Sequence, residues 1–311
     1  MSTLTRPATQ TRPTSSRSRT MRPLVWLEIR RFARHPVFLT GVASCTVLLF
    51  IALRDLIAHP SNDRVGAAVV SLFVGLFSVL TAYLITRSMK DSAEILEATP
   101  TSMPTRTAAL CAMCSVSGLV AGAFGVFGLV ALRVWPVPSW LFGTLGTVDV
   151  VVVFAEQTAV AAIGGTLLGV AAGRWLRFRG AGFVLMVALP LWVFLSSGAT
   201  AAAELGGTWP KLARAFSPFS FFQTQQISPV SVDTFPGSPR WYLLWLLTLC
   251  ALAVVAALLY GAEGMVRTRL MRIGPALLAI AAVCLVLTAT QGPHHVVRTY
   301  PNGTSSVITT R

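Results

Sequence analysis

The sequence predicts an all-α fold: a polytopic transmembrane helix bundle of six or seven spans, preceded by an interfacial amphipathic helix. Three observations carry that prediction. The chain is 54% hydrophobic and only 12% charged, against about a quarter charged in soluble domains. Its apolar residues fall in runs near the roughly 20 residues that a spanning helix needs. Its charges collect in the amino-terminal tail and in the short connections between those runs.

In order, residues 1–22 are rich in Ser, Thr, Pro and Arg and hold no acid. Such a segment buries too little to order itself, so a disordered cytoplasmic tail is expected. Residues 23–36 follow as "PLVWLEIRRFARHP". On a helix, Val25, Trp26, Ile29, Phe32 and Ala33 share one side, and Glu28, Arg30, Arg31, Arg34 and His35 take the other, while Leu24 and Leu27 fall on the polar side. A basic amphipathic helix of this kind suits a membrane surface. Pro36 then turns the chain into the transmembrane domain, 37–290. Seven candidate spans follow, at 37–53, 66–86, 108–132, 148–172, 181–203, 241–265 and 273–290.

Orientation comes from the cations. Arg87, Lys90, Arg106, Arg174, Arg177, Arg179, Arg267, Arg269 and Arg272 lie in alternate connections, on the side of the basic amino-terminal segment. The opposite connections hold fewer. Lys and Arg favour the cytoplasmic side, so the expected topology has the amino terminus inside the cell membrane. The loop 87–107 is then cytoplasmic, and the loop 204–240 and the tail 291–311 are external. This placement also accounts for the net charge of +14 without a basic face for nucleic acid. Only Lys90 and Lys211 are lysines among the 25 basic residues, a bias that points to a GC-rich bacterial source.

No catalytic constellation is present. The four histidines, His35, His59, His294 and His295, lie outside the spans. The chain holds no phosphate-binding loop, no H-E-x-x-H and no G-x-S-x-G. Neither an enzyme nor a resident cofactor or metal is expected. The five cysteines read as small hydrophobes, and Cys111 and Cys114 form a C-x-x-C without a second ligand pair. Gly118 and Gly122 form one G-x-x-x-G; Gly165, Gly169 and Gly173 form two more. Small residues at this spacing let helices approach closely in lipid, within the bundle or across a dimer seam. Glu156, beside Gln157, lies inside the fourth span. An ionised carboxylate in lipid costs at least about 2.5 kcal/mol. It is expected to line a polar transport route, to lock two helices by a hydrogen bond, or to sit near wet headgroups.

Asp91, Glu94 and Glu97 gather in the connection 87–107. Ser92 to Ala98 can form a short helix, with Lys90 pairing with Glu94 and with Glu94 and Glu97 on one face. Thr99-Pro100 breaks it, and Ser102 or Thr105 can cap the next helix.

The order of three segments now carries a resemblance. "LEIRRFARHPVF" leads into the first span, "EILEATPTSMPTR" separates the second and third, and "FSPFSFF" follows the fifth. Over roughly residues 24–265 this order resembles the type-2 family of ATP-binding-cassette (ABC) exporter permeases. The resemblance implies an elbow helix at 23–36 and a coupling helix that docks on a separate cytoplasmic ABC ATPase subunit, which would bind the ATP. It implies Glu94, Ile95, Leu96, Glu97 and Pro100 as docking elements and a second permease subunit, identical or not, as partner beside membrane lipid. Similar permeases usually have six spans; the run 273–290 makes a seventh here. The rival reading is a non-transporting scaffold or sensor that recruits a cytoplasmic partner.

Overall fold

The computed structural model describes residues 16–58, 70–91, 102–135, 138–176, 178, 180–203, 212, 215, 216, 224–228, 231–292 and 295–308. The described chain is mostly helical. Helix α1 (Ser16–Ala33) leads into α2 (Pro36–Ala58), and a π-helical turn at Ser71–Gly75 opens α3 (Leu76–Asp91). Next come α4 (Met103–Cys111), α5 (Cys114–Val134), a 3-10 turn at Ser139–Phe142 and α6 (Thr147–Ala155). A second π turn, Glu156–Val160, joins α6 to α7 (Ala161–Trp175), and α8 (Ala181–Ala203) follows. Strands β1 (Thr224–Ser228) and β2 (Ser231–Thr234) precede α9 (Pro239–Leu259) and α10 (Gly264–Thr290); β3 (Val296–Thr299) and β4 (Ser305–Ile308) close the chain.

Each of the seven expected spans falls on one of these helices. Five stretches are long and apolar enough to cross a membrane: Pro36–Arg54, Met103–Val134, Thr147–Trp175, Pro239–Leu259 and Gly264–Thr290. Phe73–Met89 and Ala181–Val193 are shorter apolar stretches.

The long helix formed by α6, its π turn and α7 is the hub of the bundle. Its glycines face α3. A Cβ built on Gly165 would lie 2.7 Å from the Gly75 carbonyl oxygen, and one on Gly173 would lie 2.7 Å from Thr86 Cβ. On Gly169 it would collide with the Val79 carbonyl oxygen and stand 2.9 Å from Ala82 Cβ. Only a missing Cβ permits two backbones this close. The α5 glycines meet another side of the same hub. A Cβ on Gly118 would sit 2.7 Å from Ile163 Cγ1, and one on Gly122 would sit 3.7 Å from Ala159 Cβ. Beside this contact the Ser117 and Thr166 hydroxyls share a buried 2.6 Å hydrogen bond. Both glycine series thus lie in seams within one chain.

The structure departs from the all-α expectation at one end of the bundle. Strands β1 to β4 form an antiparallel sheet in sequence order. The tail 291–311 therefore does not stand alone: its β3 pairs with β2 from the loop 204–240. Arg298 donates from Nε and a terminal nitrogen to both carboxylate oxygens of Asp233, at 2.7 and 2.8 Å. That carboxylate is 0% exposed. Ser238 N–H also donates to the Thr288 carbonyl at 3.1 Å. Gly292 has a φ of +93°, and a Cβ there would lie 2.5 Å from the Gly237 carbonyl oxygen. Helices α9 and α10 thus form an antiparallel hairpin that begins and ends at this sheet end, so α10 runs back along α9.

The opposite, elbow end is organised by α1. Its helix starts at Ser16 and runs through Pro23, so residues 16–22 are helical where a disordered tail is expected. The expected amphipathic split also needs correction. Phe32 and Glu28 are the buried pair, one turn apart, while Trp26 and Leu27 are exposed. The cause is tertiary: α1 packs on α4, and Arg31 donates to Ser88 Oγ of α3 at 2.7 Å. Burial pushes the Glu28 carboxyl above its ordinary range, with nearby Arg31 partly opposing it. Burial and Arg31 both lower His35.

The glycine seam yields a direct expectation. Gly169→Val should destabilise the folded protein by about 1–3 kcal/mol, the usual cost of overpacking. Gly122→Ala, where space remains, should change little. Thermal unfolding of the two variants in one mild detergent measures the contrast. Equal melting temperatures would refute the close α3–α7 approach.

Candidate functional site

Asp149 lies in the first turn of α6, and Glu156 lies two turns further along the same hub helix. Seven residues separate them, which places them on one face about 10 Å apart along the axis. That face looks onto α9. Arg240, at the start of α9, donates from Nε to Asp149 Oδ1 at 2.8 Å. Glu156 sits lower, beside the backbone of Leu243 and within electrostatic reach of Asp149. At the elbow end of the same seam, Arg174 lies near Tyr260, Cys111 and Arg106. Trp175 Nε1 donates to the Ala256 carbonyl at 2.8 Å and its ring meets Tyr260 edge-on.

Two members of this seam are unusual. Glu156 is 1% exposed, and neither carboxylate oxygen has a hydrogen-bond partner. Arg174 is 3% exposed, and its Nε and one terminal nitrogen lack acceptors. Leaving a buried polar group unpaired costs about 1–3 kcal/mol, more when it is charged. Glu156 therefore is not a hydrogen-bond lock between helices in this structure. It also opens the π turn Glu156–Val160. Such a turn inserts one extra residue into the helix, redirects side chains and is frequent at functional sites. Gln157 is buried beside it. Thr158 bonds back to the Phe154 carbonyl at 2.7 Å and faces Gly125.

Above the Asp149–Arg240 pair, at the sheet end, lies an open cavity of about 470 Å³. Thr144, Asp149, Thr234, Arg240, Trp241 and Leu244 are among its walls. Two helix starts, those of α6 and α9, border it, and Thr144 N–H donates to Thr234 Oγ1 at 3.2 Å across it. The sheet forms its roof through Thr234, so the loop and the tail build the cavity together.

The other sequence-derived candidates lie elsewhere. Gly118, Gly122, Gly165, Gly169 and Gly173 belong to the helix seams. Glu94, Ile95, Leu96, Glu97 and Pro100 fall outside the described residues. After that segment, Ser102 stands at the N-cap position of α4, but its hydroxyl pairs with Thr105 Oγ1 at 2.8 Å instead of capping the backbone. Sequence reasoning missed Asp149 and Arg240 as a pair. The available signal was an acid in the first turn of one apolar run and a cation in the first turn of another. Arg174 was read only as an inside cation, because nothing in a sequence tells a buried interfacial Arg from a solvated one.

An unpaired carboxyl predicts its own replacement. Glu156→Leu should raise stability by about 1–3 kcal/mol, because it removes an unsatisfied buried group at similar volume. Thermal unfolding in detergent measures this, and a lower melting temperature would mean that Glu156 has a stabilising partner. No protein-family model matches this chain, and no curated protein or solved structure matches it either.

Proposed function

We propose that this protein is the membrane-spanning permease subunit of an ABC exporter, driven by a separate cytoplasmic ATPase subunit. The observation that carries the reading is the hub–α9 seam. It strings Asp149, Glu156 and Arg174 along one helix face from the open cavity to the elbow end. Ionisable residues within membrane helices are expensive and mark pathways or cavities. Two further features support it. The sequence holds no phosphate-binding loop, so energy must come from a partner. Helix α1 joins α3 through Arg31 and Ser88, beside the expected coupling segment.

In this reading the cell membrane is crossed seven times, and the elbow end is cytoplasmic. The sheet end, with the cavity, is external. A second permease subunit completes the translocation path, and the bundle rests in membrane lipid. The pairing of β2 with β3 supports two crossings by α9 and α10, because a surface-lying α10 would not return the tail to the sheet. Single cysteines at 225 and 97, in a cysteine-free background, test the topology. An impermeant thiol reagent added to intact cells should label position 225 and spare 97. The reverse pattern would invert the assignment.

The coupling segment supplies the functional test. Ile95 and Leu96 are the buried anchor for the ATPase in this reading, and Glu94 and Glu97 offer charge to its basic residues, with Pro100 ending the short helix. A few desolvated residues dominate most interfaces, while rim charges tune encounter. Replacing Ile95 and Leu96 by Ala together should release the ATPase or uncouple its hydrolysis from transport. Replacing Glu94 and Glu97 by Lys should weaken assembly most at low salt. Co-purification of the ATPase and substrate-stimulated hydrolysis in reconstituted membranes are the measurements. Full assembly and coupling in the double-alanine protein would leave the segment as a plain connector and favour a scaffold or sensor.

A further inference from the structure

Three buried or concave features remain unused by the coupling scheme: the Arg174 corner, an apolar groove between α2 and α5, and the column from the cavity to Glu156. The Arg174 corner holds two cations and no described acid, but its orphan nitrogens are sealed and no cavity opens on them. The apolar groove, lined by Leu49, Phe50, Phe124 and Phe127 among others, faces outward with nothing in the structure to show what covers it. The column alone combines space, charge and an unpaired titratable group.

We propose that Glu156 carries an exchangeable proton and that the cavity beneath the sheet is the route by which this proton meets the solution. The geometry runs in three steps. The cavity is open, about 470 Å³, and bordered by Asp149, Arg240 and Leu244. Asp149 and Arg240 close it from below as an ion pair, with Asp149 about one-quarter exposed. Two turns deeper, next to Leu243, both Glu156 oxygens lie free of any partner at the start of a π turn. A carboxylic acid with no acceptor for its proton and no donor for its second oxygen is not serving a structural bond. It is left free to take up and release a proton as water enters.

The charged surroundings of Glu156 are few. On its own helix Asp149 is the charged group within reach, and from α9 Arg240 holds that group. Helix α5 carries charge only at Arg133, and the turn Ser71–Gly75 carries none. Protonation balances simply. A hydronium ion in the cavity water gives one proton to a Glu156 Oε and becomes water; on release the proton returns to cavity water and the carboxylate remains. Asp149 makes the negative Glu156 less favourable, and Arg240 offsets Asp149. The ion pair therefore sets how readily the proton leaves.

Two readouts test this without a transport assay. The first is an apolar carbodiimide, dicyclohexylcarbodiimide, which condenses with a protonated buried carboxyl to an N-acylurea identified by peptide mass. Glu156 should be modified, and the modification should fall as pH rises. Asp149→Asn should move that fall to lower pH and Arg240→Ala to higher pH. No modification at any pH, or modification independent of pH, would overturn the proposal. The second is deuterium exchange of the Glu156 carboxyl band, assigned by infrared difference against Glu156→Gln. Leu244→Trp, which fills the cavity, should slow exchange; an unchanged rate would overturn the route. If Leu244→Trp does not fold, sealed vesicles of parent protein replace it, with pH changed on one side only. Exchange should follow the pH on the sheet side and ignore the other; exchange indifferent to both sides would overturn the route. The location of the sheet end as external rests on the topology proposed above. Protease or thiol access to the tail, read in the same vesicles, identifies the sheet side independently, so a wrong orientation and a wrong route give different results.

Discussion

Everything in this bundle is arranged around the approach of α7 to α3. Lipid gives helices no hydrophobic reason to associate, so van der Waals contact between backbones must supply the attraction. Gly165, Gly169 and Gly173 remove the atoms that would hold the two helices apart, and Val79 and Thr86 fill the space. Once that seam is set, the remaining faces of the hub helix are fixed. One takes the glycines of α5, with the Ser117–Thr166 bond as the polar stitch. Another takes α9 and carries the ionisable residues. The buried charges therefore cannot rotate away to the lipid, because rotating the hub would break two close-packed seams. Packing energy spread over many small contacts holds a few costly side chains in place.

A π turn sits on each partner of the glycine seam: Ser71–Gly75 at the start of α3 and Glu156–Val160 in the hub. Each inserts one residue and so shifts the facing of everything beyond it by about 100°. Above its π turn, the hub presents Asp149 to Arg240. Below it, the same helix presents glycines to α3. Without the inserted residue the two requirements would fall out of phase. Two neighbouring insertions also lie where a helix is least regular, which is where bending demands the least rearrangement.

The helices were legible because apolar length is a local property: each of the seven runs became a helix. The glycine spacing was legible for the same reason, since four-residue periodicity is written in the sequence, although which helix receives the glycines is not. The burial of Glu28 in place of Trp26 was not legible. The helical projection of α1 separates apolar from polar residues, but contact with α4 selects the face, and a lipid-facing Trp is as well satisfied as a buried one. The sheet was invisible for a different reason. Its strands are four or five residues long and polar, such as "SVDT" and "SSVI", and their pairing joins segments on either side of two helices. The Asp233–Arg298 pair is a long-range fact of the same kind. Glu156 was visible as an acid in an apolar run, but its lack of any partner is a property of the packed state alone.

The sheet also dictates the order in which the chain can be completed. Asp233 waits for Arg298, 65 residues later. At about 5–20 residues per second of synthesis, that interval lasts roughly 3–13 s, during which the strand β2 has an unmatched edge and an unneutralised carboxylate. Both helices of the α9–α10 hairpin must be inserted before β3 can arrive. The last residues to leave the ribosome are thus the ones that roof the cavity, and a chain truncated before Val296 would contain every apolar helix yet lack the closing strands. Quality control that senses an unpaired strand edge would read this carboxyl-terminal closure as the mark of a finished protein.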